Sequence, residues 1–360
     1  MTQLIDHSAQ NSTFTIGWDV GGANLKAALL DQKGAVLAVF QLPCPLWRGL
    51  NQLKAALDHV LSQLPAGAYR HAVTMTGELV DLFANRHQGV LEISQTMRNH
   101  LQGDLRFYAG KQGFVLFEQI ASHTAHIASA NWLASAELMA SSIKASWMKC
   151  ALLIDIGSTT TDLIPLIDAK VTTQSTSDAD RMQADELVYT GVIRTPLMAL
   201  CQKIEWDGKQ INIAAEHFAT TADIYRLMRE LMPEDDQADT ADDAGKSMIE
   251  TARRLARIVG RDVESASLAD WKALAQAFSQ VQLMQIKNAA ERVIADNKMS
   301  RSAPLIGAGA GRFLVARLAK QMNRPYVEVN ALLSDMVLPN MAAVCLPAYA
   351  VAKLALDGAC

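Results

Sequence analysis

The 360-residue sequence predicts an α/β protein made of two lobes with a ligand cleft between them. A strand hairpin with a Gly-containing turn occurs twice, at 16–30 and at 152–166. Short apolar runs alternate with segments of helical periodicity, a pattern typical of sheets covered by helices. The chain is also longer than a single hydrophobic core usually requires, so two domains are expected.

The composition describes an ordinary globular protein, with 50% hydrophobic residues, 19% charged residues and a net charge of -4. This charge balance predicts no nucleic-acid partner and no anionic-membrane partner. The five cysteines are scattered without metal-type spacing, which favours a reduced compartment. Because neither a signal peptide nor a membrane-length apolar run is recognised, we expect a cytoplasmic location. The oligomeric state is open, with a homodimer as one alternative.

The central hairpin, L-L-I-D-I-G-S-T-T-T-D-L-I-P-L at 152–166, has an apolar run that ends at Asp155 and a turn rich in hydroxyls. In such a turn, backbone N–H groups and Ser/Thr hydroxyls can surround phosphate oxygens. The predicted phosphate-binding residues here are Gly157, Ser158, Thr159 and Thr160. Asp155 would reach phosphate only through Mg²⁺ or its waters, because two anions repel each other. A plain hairpin with a polar turn is the alternative.

The first hairpin, I-G-W-D-V-G-G-A-N-L-K-A-A-L-L at 16–30, aligns with the central one. Asp19 matches Asp155, and Lys26 matches Asp162. The predicted phosphate-binding residues of this turn are Gly21, Gly22 and Asn24. An acidic hairpin that occurs twice predicts two related lobes that face each other.

Between the hairpins we expect strands at 35–40, 72–75 and 113–117, and a helix over 50–64. Glu78 follows the second of these strands, at a sheet edge where ligands gather in α/β proteins. The alternative for Glu78 is a solvated acid at a helix start. A segment rich in small residues predicts a closely packed helix after 117. Within it, Asn131 and Trp132 have recognition chemistry, although Trp132 could instead fill a gap between the lobes.

The second half contains one further candidate ligand-binding cation, an acidic segment and two helical faces. Arg194 could clamp a phosphate or carboxylate, or it could form a structural ion pair with nearby acids. The acidic segment 233–245 has almost no apolar side chains and predicts an exposed loop. Helical spacing places Ile249 on one buried face with the apolar residues that follow it, and residues within 283–293 on another.

A Gly-rich turn, A-P-L-I-G-A-G-A-G-R-F-L, joins a predicted strand to a predicted helix near the C-terminus. Gly307, Gly309 and Gly311 stand at the helix start, where a ligand can approach the backbone closely. A dinucleotide fingerprint is not present, since the glycine spacing differs.

The closing apolar segment predicts a helix at 337–357 that is kinked at Pro347 and returns to the first lobe. We therefore expect one lobe from 13–147 together with 337–357. The other lobe is expected from 148–336.

Two D-x-G hairpins followed by a Gly-rich strand-to-helix turn resemble the phosphate-1, phosphate-2 and adenosine motifs of the actin, sugar kinase and Hsp70 superfamily. This resemblance implies an actin-like ATPase fold of the ribonuclease H-like kind. More narrowly, the sequence resembles hydantoinase/oxoprolinase-like proteins linked to tetrahydromethanopterin C1 transfer. The segments that carry this likeness are W-D-V-G-G-A-N-L-K, P-L-W-R-G-L, M-T-G-E-L, A-N-W-L-A-S-A, D-I-G-S-T-T-T-D-L-I-P and G-V-I-R-T-P-L.

The resemblance implies a transferase of methanofuran biosynthesis, which joins a furanylmethyl diphosphate to the phenol of glutamyl-tyramine and releases pyrophosphate. Both substrates are small molecules. The implied diphosphate-binding residues are Gly21, Gly22, Asn24, Ser158, Thr159 and Thr160. On the same reading Lys26 neutralises the diphosphate, while Asp19 and Asp155 hold Mg²⁺, directly or through water. Asp162 and Glu78 are the candidates that accept the phenol proton.

Three other functions are compatible with the same motifs. An ATP-dependent kinase or ATPase would place the glycines at 307–311 under adenine, with ATP as ligand. A hydantoin or oxoproline hydrolase is a further alternative, as is a non-enzymatic regulator that closes its lobes on a nucleotide. Fold alone does not choose among them.

Overall fold

Both predicted hairpins are present in the computed structural model, which describes residues 13–144, 146, 148–333 and 343–358. The strands are β1 Thr13–Val20, β2 Asn24–Leu30, β3 Val36–Pro43, β4 Ala68–Met75, β5 Asp104–Tyr108, β6 Phe114–Leu116, β7 Cys150–Ile156, β8 Thr161–Ile167, β9 Lys170–Val171, β10 Leu187–Val188, β11 Lys203–Trp206, β12 Lys209–Asn212, β13 Leu305–Ala308 and β14 Tyr326–Glu328. The helices are α1 Leu50–Leu61, α2 Arg86–His100, α3 Ile120–Ile127, α4 Asn131–Lys144, α5 Asp178–Gln183, α6 Thr221–Leu227, α7 Met248–Ile258, α8 Leu268–Asp296, α9 Arg312–Gln321 and α10 Leu346–Leu356. Among these described helices, none is long and apolar enough to cross a lipid bilayer.

The first of two compact units comprises the described residues of Met1–Trp147, Ala169–Val171 and Asn330–Cys360. Its sheet has the strand order β3-β2-β1-β4-β5-β6. Alternate apolar side chains of β1 and β4 pack with α1 and α2 in one core. Helix α10 lies so close to β1 that a Cβ atom added at Gly17 would be 1.9 Å from Ala348 O. Glycine at position 17 is therefore a condition for this packing.

The second unit comprises the described residues of Met148–Asp168 and Thr172–Val329. Its main sheet has the strand order β10-β8-β7-β13-β14. The 29-residue helix α8 packs against α6, α7 and β8. The core includes a stacked pair, Trp206 and Trp271, whose ring centroids are 5.0 Å apart. Most side chains of this core are completely shielded from solvent, as expected for a helix layer over a sheet.

Each unit has the same strand arrangement around its hairpin. In the first unit β1 is antiparallel to β2 and parallel to β4. In the second, β7 is antiparallel to β8 and parallel to β13. The α/β class and the duplicated hairpin predicted from the sequence are confirmed.

Three helical predictions differ from the structure. The segment rich in small residues forms two helices, α3 and α4, separated at Ser129, whose φ of 51° interrupts the helical path. Pro347 lies in the first turn of α10, where its missing N–H costs no hydrogen bond; residues 343–344 are also helical, and the helical path is interrupted at Cys345, two residues before the predicted kink. Residues 337–342 of that predicted helix lie outside the described residues. Ile249 is 53% exposed and does not share the buried face of α7.

The acidic segment 233–245 is a loop, as predicted, but it is less exposed than predicted, because two arginines hold its carboxylates. Arg254 of α7 is completely buried, and its guanidinium lies 2.8 Å from Asp223 and 3.0 Å from Asp242. Arg226 of α6 lies 2.7 Å from Asp236. Buried guanidinium groups require anionic partners, and the acidic segment supplies them. The composition of the loop does not reveal these partners, which lie on neighbouring helices.

A buried histidine in the first unit gives a testable pH dependence. Trp18 Nε1–H donates to His71 Nδ1 at 3.1 Å, and the Nε2–H of the neutral ring donates to Gln102 O at 3.0 Å. Burial lowers the pKa of His71 from 6.5 to about 4. Because the unfolded chain then binds the proton more readily, the free energy of unfolding falls as the pH decreases from about 6.5 to about 4.

We expect this loss to be on the order of 3 kcal/mol in urea unfolding measured across that pH window. The variant His71→Gln, which keeps a hydrogen-bond acceptor for Trp18, should lose this component of the pH dependence. The exposed residue His59 provides the matched control, His59→Gln, which should retain it. An unchanged pH dependence in His71→Gln would contradict the assignment.

Candidate functional site

The two acidic residues of the hairpins stand at equivalent positions. Asp19 pairs in register with Lys26 across β1 and β2, and Asp155 pairs in register with Asp162 across β7 and β8. Asp19 is 5% exposed, whereas Asp155 is half-buried. Each acid is near the end of the central strand of its sheet, two residues before a glycine. The alignment of the two stretches therefore corresponds to a structural equivalence.

The turn of the first hairpin is closed by a hydrogen bond from Gly21 N–H to Asn24 O at 3.0 Å. Gly22 O accepts a hydrogen bond from the backbone N–H of Leu46, which begins the 3-10 turn after β3. This bond fixes the orientation of the Gly22 carbonyl in the hairpin turn. Lys26 Nζ donates to Val344 O at 2.8 Å, so its ammonium is held near the start of α10. These residues are brought together as the sequence predicts, while their binding of diphosphate stays a prediction.

The turn of the central hairpin is closed in the same way, by Gly157 N–H donating to Thr160 O at 2.9 Å. Ser158 O accepts from the backbone N–H of Arg194 at 2.8 Å, which ties the turn to the segment after β10. A Cβ atom at Gly191 would lie 2.4 Å from the carbonyl carbon of Ser158, so this packing requires glycine. The hydroxyl residues of the turn are all half-buried: Ser158, Thr159 and Thr160.

A buried polar network holds the segment 190–191 that packs against the turn of the central hairpin. Gln282 of α8 donates to both Thr190 Oγ1 and Gly191 O at 2.8 Å, and its Oε1 accepts from Tyr225. Thr221 Oγ1 also donates to Gly191 O at 2.8 Å. Fully paired buried networks of this kind make a backbone rigid. Sequence analysis missed Gln282, because a lone glutamine on a long helix carries no motif.

The three glycines between β13 and α9 pack against neighbouring protein atoms. Gly309 has a φ of +78°, and a Cβ atom there would lie 2.3 Å from both Asp155 Oδ1 and Ile156 O. Gly311 N–H donates to Ile156 O at 2.8 Å. A Cβ atom at Gly307 would lie 2.8 Å from the ring of Tyr326. The Gly-rich turn therefore lies directly beside Asp155, and its contact with a nucleotide or substrate stays a prediction.

Asp162 forms an ion pair with Arg181, with 2.7 Å between Oδ1 and Nη1. Arg181 is 1% exposed and also donates to Glu186 O at 2.9 Å. Burial raises the pKa of Asp162, although Arg181 acts in the opposite direction. The partner of Asp162 could not be recognised from the sequence, because Arg181 lies outside the hairpin on α5.

Glu78 is buried, with 1% exposure, so its interpretation as a solvated acid is wrong. It lies in a 3-10 turn, Gly77–Leu79, and accepts a hydrogen bond from Ser129 Oγ at 2.8 Å. A Cβ atom at Gly89 would lie 2.5 Å from Glu78 O, so α2 packs tightly against this turn. Glu78 is a carboxylate held in place by contacts from two other segments.

The remaining predicted residues occupy helix starts and turns. Asn131 and Trp132 begin α4, where Asn131 Oδ1 accepts from the backbone N–H of Trp132 at 2.7 Å. Trp132 is 6% exposed. Burial lowers the pKa of Arg194. Substrate binding by these three residues stays a prediction.

The residues at the two turns suit Mg²⁺. Mg²⁺ prefers oxygen ligands and commonly binds one or two carboxylates together with substrate phosphates. Asp19 and Asp155 each supply a carboxylate at the edge of a Gly-containing turn, and hydroxyls follow Asp155. Across the described parts of the chain, no group of three or more His, Cys, Asp or Glu side chains could hold a metal by itself. Mg²⁺ held at either turn would take its remaining ligands from water or from substrate phosphates.

A model of the hydantoinase/oxoprolinase family matches residues 70–355. The chain is 33% identical over 249 residues to (4-{4-[2-(gamma-L-glutamylamino)ethyl]phenoxymethyl}furan-2-yl)methanamine synthase from Methanocaldococcus jannaschii, a match that covers 69% of this chain and 72% of that relative. It is 34% identical over 119 residues to the enzyme of the same name from Methanococcus vannielii, which covers 33% of this chain and 53% of the relative.

Among solved structures, the chain is similar to nucleotide-free acetone carboxylase, an enzyme of ATP-dependent acetone carboxylation. The TM-score is 0.61 at 10% sequence identity, and the match covers 95% of this chain and 70% of the other. At this identity the likeness concerns the fold alone. It confirms the predicted fold class, an α/β fold of the actin-like ATPase type.

Proposed function

The chain belongs to the hydantoinase/oxoprolinase family, and from this premise we propose that it is a transferase of methanofuran-type cofactor biosynthesis. It would join a furanylmethyl diphosphate to the phenol of glutamyl-tyramine and release pyrophosphate. The observation that carries the proposal is the 33% identity to the Methanocaldococcus jannaschii synthase. The name of that relative describes a phenoxymethyl-furan product, which contains the ether bond that such a condensation forms.

The reaction breaks the bond between the furanyl methylene carbon and the diphosphate oxygen, and the electron pair leaves with the diphosphate. The phenol oxygen forms the new bond to the same carbon and gives its proton to a base. Because the furan ring can share positive charge on its methylene carbon, the largest demand on the protein is stabilisation of the leaving diphosphate. Preorganised N–H groups, hydroxyls and cations meet that demand.

The two hairpin turns supply the proposed diphosphate site. The residues that hold the oxygens are Gly21, Gly22, Asn24, Gly157, Ser158, Thr159 and Thr160. The rigid support of the second turn by Gln282 favours this role, since donors held in place need no reorganisation during reaction. Lys26 would neutralise part of the diphosphate charge, although its ammonium is also held by Val344 O.

Asp19 and Asp155 are the residues proposed to hold Mg²⁺, directly or through water, and the bound ion would offset the negative charge of the leaving group. Glu78 and Asp162 are the candidate bases. Glu78 is buried and oriented by Ser129, while Asp162 has a raised pKa, which brings a carboxylate nearer to the operating range of a general base. Asn131, Trp132 and Arg194 are proposed to contact substrate.

The test is release of pyrophosphate from the furan diphosphate. We expect release that requires both Mg²⁺ and the phenolic co-substrate, measured with an enzyme-coupled pyrophosphate assay. Tyramine derivatives methylated at the phenol oxygen provide the matched control, because they have no proton to lose and no free nucleophile. Absence of pyrophosphate with both substrates and Mg²⁺ present would reject the proposal.

An ATP-dependent kinase or ATPase is the second candidate, because the acetone carboxylase fold serves an ATP-dependent reaction. In that case Gly307, Gly309 and Gly311 would contact the nucleotide. The same reactions are therefore assayed for ADP with ATP added. ADP formation without pyrophosphate from the furan diphosphate would favour this second candidate.

A further inference from the structure

A cavity of about 260 Å³ lies within the first unit. Its walls include Tyr108 at the end of β5, Lys111 and Phe114 after it, Glu137 of α4 and Leu354 of α10. The turn between Tyr108 and Phe114 contains two glycines with positive φ and forms one side. We call it the Tyr108 cavity. Pockets for whole ligands measure about 300 to 1,000 Å³, so this cavity suits an end group of a larger molecule.

The strand registers relate the Tyr108 cavity to Asp19. Asp19 of β1 stands beside Thr74 of β4, and Val73 of β4 stands beside Phe107 of β5. The next pair in this parallel register is Thr74 with Tyr108. Because paired residues of parallel strands point to the same face, Asp19, Thr74 and Tyr108 form one row on one face of the sheet. Two interstrand spacings, roughly 10 Å, separate the ends of this row.

The middle of the row contains a polar group that lacks a partner. Thr74 is completely buried, and its Oγ1 has no hydrogen-bond partner within the parts of the chain that the structure describes. A buried hydroxyl that is left unpaired costs free energy. A single water bound beside the hydroxyl would satisfy it.

The Tyr108 cavity presents one negative and one positive group. Tyr108 Oη–H donates to Glu137 Oε2 at 2.7 Å, which orients the carboxylate. Burial raises the pKa of Glu137, and the ammonium of Lys111 is near enough to act against that rise. A partly desolvated carboxylate is stabilised by a cation. A molecule with an ammonium and a carboxylate on one carbon would complement both Glu137 and Lys111.

We propose that the Tyr108 cavity binds the α-amino acid end of the phenolic co-substrate, with its ammonium on Glu137 and its carboxylate on Lys111. The inference rests on the proposed function, since the γ-glutamyl group of glutamyl-tyramine carries that free α-amino acid end. The phenol end is then directed toward the side of the cavity on which Asp19 lies, on the same face of the sheet. Extended, the acceptor measures about 13 Å from its α-carbon to its phenol oxygen, with about 1.25 Å of projected length for each chain bond, so it is long enough to cover the roughly 10 Å of the row.

The first experiment compares glutamyl-tyramine with tyramine as acceptors in the pyrophosphate assay. The ratio of kcat/KM for the two acceptors reports recognition of the γ-glutamyl group. Losing a hydrogen bond to a charged group typically weakens a binding constant by roughly 10- to 100-fold. We therefore expect Glu137→Gln and Lys111→Met each to reduce this ratio at least about tenfold. Lys54→Met, at an exposed position of α1, is the matched control and should leave the ratio unchanged.

The second experiment measures binding without turnover. Isothermal titration calorimetry with γ-L-glutamylethylamide, which has the amino acid end and no phenol, should show binding to the whole protein. Glu137→Gln should weaken it at least about tenfold. Circular dichroism of each variant checks that the fold is retained.

The two experiments separate the two proposals. Binding that depends on Glu137 without any pyrophosphate release supports the cavity assignment and rejects the proposed reaction. Pyrophosphate release with an unchanged acceptor ratio in both variants overturns the cavity assignment and leaves the reaction in place. No binding of γ-L-glutamylethylamide up to roughly 10 mM also overturns it.

Discussion

Replacing Asp155 with Asn is expected to reduce kcat for pyrophosphate release by at least about 100-fold, because in the proposed reaction the Asp155 carboxylate holds the Mg²⁺ that offsets the charge of the leaving diphosphate. Asn has nearly the same shape as Asp, so the packing beside Gly309, where a Cβ atom would lie 2.3 Å from Asp155 Oδ1, is retained. The amide binds Mg²⁺ more weakly than a carboxylate does. The concentration of Mg²⁺ that gives half-maximal rate should therefore rise together with the loss of kcat.

The measurement is a pyrophosphate time course at increasing Mg²⁺ concentration for both proteins. Asp168→Asn is the matched control, since Asp168 is an exposed acid of the same unit and lies at the opposite end of β8. Its φ of 50° is a conformation that Asn adopts readily. A wild-type rate and a wild-type Mg²⁺ dependence in Asp155→Asn would remove Asp155 from the proposed site.

The second large effect concerns the stability of the second unit. Arg254→Met is expected to lower the free energy of opening of α6 and α7 by about 3 to 5 kcal/mol, because it leaves a buried carboxylate short of one partner. Asp223 is 2% exposed at its side chain and accepts from both Arg254 and Arg226 in the native protein. Methionine fills part of the space of the arginine stem. The decrease in the free energy of opening therefore measures mainly the removal of the guanidinium charge.

Hydrogen exchange of peptides from α6 and α7 measures this opening locally, without requiring the whole chain to unfold in one step. Arg253→Met is the control, since Arg253 is the exposed neighbour on the same helix. Surface substitutions of this kind usually change stability by less than about 0.5 kcal/mol. If both variants exchange at the same rate, the buried ion pairs are not what holds the acidic segment.

Much of the fold was accessible from sequence because its signals are local. The hairpins at Asp19 and Asp155 show apolar strands on both sides of a Gly-containing turn, and each turn closes with the same hydrogen bond. The Gly-rich turn before α9 was recognised for the same reason. Errors arose where the pattern was compatible with two structures, as at Ser129, where small residues permitted one helix or two.

The candidate site was predictable in its motifs and not in its supporting contacts. The ion pair of Asp162 joins residues 19 apart, the hydrogen bond to Glu78 comes from 51 residues away, and Gln282 reaches Thr190 across 92. No periodicity or turn preference connects residues at such separations. The catalytic and binding roles of the site residues stay predictions that the experiments above test.

The sequence by itself determined the α/β class, the two acidic hairpins and the family, because each depends on residues that are neighbours along the chain or at strand and helix spacing. Only the tertiary structure decided that Glu78 is buried, that Arg181 faces Asp162 and that Arg254 anchors the acidic segment. The physical reason is that burial and ion pairing depend on which distant side chains share a low-dielectric environment. That environment is created when the helices pack against the sheets.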